Sequence, residues 1–503
     1  MTSWMLRKRP FCLIALAWLA VASPSVVAAA WSLVLQQGQI GLTLPDVREG
    51  LWEVAGNRAD VDTAVSVKDG IATVWFRPAS QLRSSRVIHT DPVNPVLLKN
   101  VRAELNNVTV KIDLYGKGTL PERSSVAGQV MVEVESLEHP RLKTQGWTFE
   151  GSLDGALADL TVEGQLRSES GLVASVTARN VAGEFLAVRG SMVVDGEQGG
   201  KGMASTFTDW PGLLELTRGQ IQAQATVRVE PNTPMSLHSQ LDFENVDGVM
   251  DRTAVSGLNG RLLVTVDGDD LAAHFRDLHV GQISSGIGFG PIRFLADYNA
   301  PLEDPGAGVL DIQQATAGFL DGHLRVAPGA IDPSGPAWQF PVEVYDVSLA
   351  ALLQVYPAEG IEGTGQLSGR IPVGVSDAGI EVDGGKVSAK APGGVLRLPA
   401  ERLQAMLGGS QAMELVLKAL QNFHYSVLDS TIDYDEKGKL MLDLTLEGEN
   451  PEVRGGQPVV LNINLEEDIP ALLTSLQLSG RVNEAVTERV RERLEQSGQE
   501  AMP

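Results

Sequence analysis

Apolar and polar residues alternate one for one through most of this 503-residue chain. The clearest stretch sets Ile221, Ala223, Ala225, Val227 and Val229 against Gln222, Gln224, Thr226, Arg228 and Glu230. Successive side chains of an extended strand point to opposite faces, so a period of two means strands with one apolar and one wet face. Val108, Val110, Ile112 and Leu114 follow the rule, as do Leu160, Val162, Gly164 and Leu166, and then Leu172, Ala174, Val176 and Ala178. These read as neighbouring strands of a meander. Helical periodicity is nearly absent before residue 345, which argues against α/β classes such as Rossmann and TIM-barrel folds. The pattern runs too long and too evenly for one compact core. It predicts a mostly-β chain: an elongated antiparallel sheet curved into a hydrophobic groove, with a few helices in the C-terminal part.

With 43% hydrophobic and 20% charged residues the chain is not of the disordered class, and its 53 glycines suit many tight turns. The net charge is −23; the first thirty residues hold three cations and no acid, which leaves the rest at −26. A phosphate polymer is repelled by such a body, so nucleic acid is not a partner. The single cysteine, Cys12, lies in the N-terminal segment, leaving the remainder without a disulfide, a Cys-based zinc site or a thiol nucleophile.

Residues 1–30 read as an export signal: Arg7, Lys8 and Arg9, an apolar run from Phe11 to Ala22, a break at Ser23 and Pro24, and a small-residue cleavage site before Trp31. The alternative reading retains residues 11–31 as an inner-membrane anchor, since the run is just long enough to span. Both readings put the bulk of the chain outside the cytoplasm.

Residues 201–216 and 231–236 break the alternation and read as loops; Gly257 to Gly260 and Gly268 to Asp270 read as turns flanking Leu262 to Val266. Pro- and Gly-rich tracts at 301–308 and 328–336 precede a part with helical spacing at Leu349 to Tyr356, Pro399 to Leu407 and Met413 to Leu420. Strands follow at Thr431 to Tyr434, Leu440 to Leu446 and Val459 to Leu465, the first two joined by a hairpin turn at Asp435 to Gly438. Helix returns at Ile469 to Leu478, and Val482, Val486, Val490 and Leu494 make the seam of a terminal helix. The predicted organisation is 1–30 signal or anchor, 31–340 extended β-groove, 341–478 C-terminal domain and 479–503 amphipathic helix.

Chemistry-bearing motifs are sparse. Among seven histidines only His274 and His279 lie close, at a spacing that faces opposite sides of a strand. Gly286 to Gly290 lacks the helix and Lys-Ser/Thr of a phosphate loop and reads as a turn or bulge. Asp267 to Asp270 and Asp433 to Glu436 lack the distal Glu of a calcium loop and sit at hairpins. No catalytic residue, metal or cofactor is expected. An outer-membrane barrel is disfavoured by 5% aromatic content and the charged, helical C-terminus. The candidate site is the apolar face itself, with Val110, Ile112, Leu160, Val162, Val176, Ile221, Val227 and Val229 as its expected lipid-contacting members. Alternation alone leaves two readings open, an open groove that carries lipid and a closed core in a non-transporting envelope scaffold.

Five C-terminal stretches carry a resemblance: Ile361 to Arg370 (IEGTGQLSGR), Lys386 to Val395 (KVSAKAPGGV), Leu415 to Tyr425 (LVLKALQNFHY), Leu446 to Pro451 (LEGENP) and Gln457 to Leu473 (QPVVLNINLEEDIPALL). In order and evenly spread, they resemble the C-terminal domain of the YdbH-like family of the AsmA-like superfamily, which also carries a dicarboxylate-transport label. The resemblance implies a periplasmic, inner-membrane-anchored β-groove that conducts phospholipids toward the outer membrane. It also implies a partner, a small outer-membrane lipoprotein, which would add a strand at the open C-terminal edge. Roughly 25 strands stacked at about 4.8 Å give about 120 Å of sheet, a length that such a partner would extend.

Overall fold

The computed structural model describes residues 33–474 except 92–94, 286, 336, 356–359, 377, 399–417, 454 and 473. Within them the chain is mostly β and its strands pair antiparallel. It divides into two compact units, one running to Val246 and taking in Leu262–Leu271, the other made of Asp247–Arg261 and the chain from Ala272 onward. The expected signal or anchor and the terminal helix lie outside the described residues, as do most of the helices expected at 399–407 and 413–420. Among the described residues no helix is long and apolar enough to cross a membrane.

The first unit holds β1 (Leu33–Leu44), β2 (Val47–Glu49), β3 (Trp52–Ala55), β4 (Asn57–Lys68), β5 (Ile71–Phe76), β6 (Ser80–His89), β7 (Val96–Asp113), β8 (Ser124–His139), β9 (Leu142–Ala156), β10 (Asp159–Ser168), β11 (Val173–Val181), β12 (Phe185–Asp195), α1 (Gly196–Thr206) and β13 (Leu214–Val229). β1 pairs with β4, β4 with β5 and β6, and both of these with β7. From β7 to β13 each strand pairs with the next, the meander that the alternation predicts. β14 (Ser236–Met250), β15 (Thr253–Asp267) and β16 (Asp270–Val280) carry the chain from one unit into the other.

The second unit continues with β17 (Gln282–Ser284), β18 (Gly288–Phe289), β19 (Ile292–Pro301), β20 (Val309–Phe319), β21 (Gly322–Val326), β22 (Gly329–Ile331), β23 (Ala337–Ser348), α2 (Leu349–Val355), β24 (Glu362–Gly363), β25 (Gln366–Ser376), β26 (Gly379–Ala389), β27 (Gly394–Arg397), β28 (Phe423–Tyr434), β29 (Lys439–Glu449) and β30 (Val459–Asp468). α2 matches the expected short helix, and Gly438 takes the left-handed conformation (φ 91°) in the β28–β29 hairpin.

Two expectations are corrected. Residues 201–216 are not all loop, because Gly196–Thr206 is helical. Glycine is a poor helix former, but at Gly199, Gly200 and Gly202 the missing side chains let the helix backbone lie directly on Val194, Leu216 and Leu172, so tertiary contact outweighs propensity. Gly257 and Gly260 form no hairpin turn; they sit inside β15 at positive φ. Bulge-like positions recur, with Asn100, Asn107, Asn245, Asp277 and Asp346 all at positive φ within strands. Register slips beside Asn107 and Asp346 mark β-bulges there, which add local bend and twist.

Candidate functional site

Register turns the alternation into a surface. In the first unit, successive partners on β1, β4, β6, β7, β8, β9, β10, β11, β12 and β13 are Leu42, Ala59, Leu82, Ala103, Val132, Phe149, Leu166, Ala174, Met192 and Ala223. This is an apolar rung crossing ten strands without a polar interruption. At about 4.8 Å per strand it covers roughly 40 Å.

The eight candidates fall on this same face. Val110, Leu160 and Val229 lie on a parallel rung that runs through Val74, Val126, Gly155 and Leu186, with Asn180 as a polar member. Ile112 is two residues beyond Val110 on β7. Val162 and Val227 share a rung with Leu153, Ala178 and Val188, and Val176 lies between Gly164 and Gly190. Ile221 faces Val194. Small residues predominate in places: Gly151, Gly164, Val176, Gly190 and Ala225 make one rung, and the Phe149 ring reaches over its first two positions.

Burial along the face is uneven. At its N-terminal end Ala59, Val61, Phe76, Leu105, Val108, Val110, Val126, Val130 and Leu160 pack into a buried cluster, with Ile112 and Val162 against it. Farther on the cover thins. No residue of β11 is buried, and Val176, Ile221, Val227 and Val229 are half-buried. A sheet facing another at sandwich distance would have its inward side chains buried. α1 covers the end of the face near Val194.

The second unit repeats the arrangement. Ile292, Ala317, Leu324, Val344, Gly369, Val387, Ser430, Leu444 and Ile463 form a rung across nine strands, with one polar member. Its buried cluster centres on Phe423, Tyr425, Leu428 and Leu446, with Leu349 of α2 packed in. Beyond β29, β30 presents Val460 and Leu465 exposed.

Polar groups fasten the other face. Asp297 on β19 accepts hydrogen bonds from Arg276 (2.6 Å) and Gln313 (2.7 Å) and shares a 2.5 Å bond with His274 Nδ1. Burial alone would raise its pKa, but the bonds from His274, Gln313 and Arg276, with the Arg276 charge, bring it down to about 2. A depressed carboxylate stabilises the fold fully above its ordinary pKa near 3.8 and loses that contribution as pH falls through about 2. Asp297→Asn is therefore expected to cost about 1–2 kcal/mol at neutral pH and to flatten the acid limb of stability between about pH 4 and 2, read by urea unfolding at stepped pH.

The motifs expected to be inert have structural roles. Asp435 Oδ1 caps its hairpin by accepting the Lys437 and Lys439 N–H groups. Gly288–Phe289 is a strand fragment paired with Ile283 and Ser284. Among the described residues no cluster of acidic, histidine or cysteine side chains could hold a metal ion.

The family model described as intermembrane phospholipid transport protein YdbH matches residues 78–491. The chain belongs to the YdbH-like family. No curated protein and no solved structure matches it. The match extends the C-terminal resemblance upstream to β6, so eight of the ten strands of the first unit's apolar rung lie within the YdbH-like region. Membership implies intermembrane phospholipid transport in general and an envelope, periplasmic setting; the YdbH-like family is one of lipid transport, not of enzymes.

Proposed function

We propose that this YdbH-like chain conducts phospholipids between the inner and outer membranes, with acyl chains on the apolar rungs and headgroups in water. The observation that carries this reading is the continuous apolar face of β1 to β13, packed at one end, covered by α1 near Val194 and partly exposed between them at Val176 of β11 and at Val227 and Val229 of β13. Each CH₂ laid on such a face gains about 0.8 kcal/mol, so passage needs registry of apolar surface and no catalytic group. The partial exposure speaks against the closed-core scaffold, whose inward residues would be buried. Residues 11–31 would tether the chain to the inner membrane if retained, and a small outer-membrane lipoprotein would add a strand beyond β30.

The test is lipid extraction of the purified full chain followed by mass spectrometry. Phospholipid at near-stoichiometric amounts is the expected result, and a lipid-free protein would favour the scaffold.

A further inference from the structure

We propose that the polar face of the first unit holds a binding site for a phosphate group followed by a cation, of the phosphoethanolamine kind, built on Arg58, Arg83 and Arg102. The three arginines are direct cross-strand partners on β4, β6 and β7. Adjacent strands lie about 4.8 Å apart, so three guanidinium-bearing positions fall within about 10 Å. Like charges directly opposite one another are destabilising, and this chain is strongly acidic, so basic composition does not account for the row. The outer two have carboxylate partners: Asp60 takes Arg58 at 2.8 Å, and Glu133 takes Arg102. The middle one does not. Arg83 donates only to the Gln81 amide oxygen, at 2.6 and 3.2 Å, among the described residues. A phosphate there would relieve the repulsion and accept paired guanidinium bonds.

The row lines an open cavity of about 980 Å³. Two residues along β8 from Glu133, the partner of Arg102, the same cavity is lined by Glu135, and past β9 by Arg167 and Glu169. Glu135 accepts the Asn100 amide (2.6 Å) and Glu169 the Gly146 N–H (3.2 Å); neither holds a cation among the described residues. The arginine row favours an anion and the neighbouring Glu135 carboxylate a cation, which selects a zwitterion over a polyanion. The arginines alternate with Ala59, Leu82 and Ala103, so the cavity opens on the side of the sheet opposite the apolar rungs. A lipid lying on those rungs cannot fill it. The ligand is either a free phosphoester or the headgroup of a lipid outside the strip, and the proposal does not rest on lipid conduction.

The experiment titrates O-phosphoethanolamine and inorganic phosphate into the full chain at low salt by calorimetry, and sediments the chain with phosphatidylethanolamine vesicles. O-Phosphoethanolamine is expected to bind, and Arg83→Gln to weaken it at least about tenfold. Arg189→Gln, on the same polar face outside the cavity, should leave binding unchanged. Sedimentation with vesicles that depends on Arg83 assigns the site to a headgroup; binding of the soluble compound alone assigns it to a free phosphoester. Absence of binding by the wild-type chain to both soluble compound and vesicles overturns the proposal, as does Arg83→Gln binding undiminished. Inorganic phosphate binding as tightly as O-phosphoethanolamine overturns the part given to Glu135. If Arg83→Gln does not fold by circular dichroism, Arg83→Lys keeps the charge without the paired fork and is expected to bind measurably more weakly. Val227→Asp, on the apolar face, should bind O-phosphoethanolamine like wild type, which separates this site from the conduction reading.

Discussion

Val227→Asp is expected to leave the protein folded and to lower its co-purified phospholipid at least about tenfold. Val227 sits mid-face, opposite Val188 and between Ala225 and Val229 on its own strand, so a carboxylate there meets a chain on its own rung and borders the rungs on both sides. Drying an ion under an acyl chain costs several kcal/mol, enough to exceed the gain from the few CH₂ groups that would cover it. The empty protein pays little, because Val227 is only half-buried and the new carboxylate stays hydrated; its unfolding free energy should fall within about 1 kcal/mol of wild type. Thr226→Asp is the control, one residue away and on the opposite face, where Thr226 pairs with Arg189. It should keep its lipid. Lipid extraction and urea unfolding of the three proteins decide the matter: a Val227→Asp protein that retains lipid contradicts the strip, and one that merely unfolds points to a closed core.

The second large effect is on stability. Phe423, the first residue of β28, has no solvent exposure and packs in the cluster with Leu349, Leu420 and Leu446. Phe423→Ala removes the ring and leaves a cavity that β28, paired with β27 at this residue and with β29 from the next, cannot close. The expected loss is about 3–5 kcal/mol, a drop in melting temperature on the order of 10 °C. Chemical denaturation and calorimetry check it; a loss below about 1 kcal/mol would mean that the neighbouring side chains collapse into the space.

Strands, their parity and the identity of the apolar face were legible in the residues because period two is a local signal. Once hairpins join strands in register, parity at Val162 carries to Ala178, Val188 and Val227 without further information. α1 was not legible, since Gly196 to Thr206 has neither helical propensity nor an apolar stripe, and what makes it helical is the close approach of Gly199, Gly200 and Gly202 to residues on other elements. Gly257 and Gly260 read as a turn from sequence for a related reason: positive φ is needed in bulges as well as hairpins, and only pairing tells them apart. The arginine row was hidden more deeply. Arg58, Arg83 and Arg102 are far apart in sequence and unremarkable singly, and become a site only through the register of three strands.

The rung of Gly151, Gly164, Val176, Gly190 and Ala225 has a kinetic consequence. Past the Phe149 ring, the short side chains of Val176 and Ala225 and the bare backbone of Gly190 offer a sliding chain only a shallow notch, so successive positions along β11 to β13 differ little in depth for a hydrocarbon. A track of this sort has no turnover site. On the proposed reading, flux through it is set by loading at one end and release at the other, it saturates when the file is full, and it favours neither direction until the two membranes differ in what they supply.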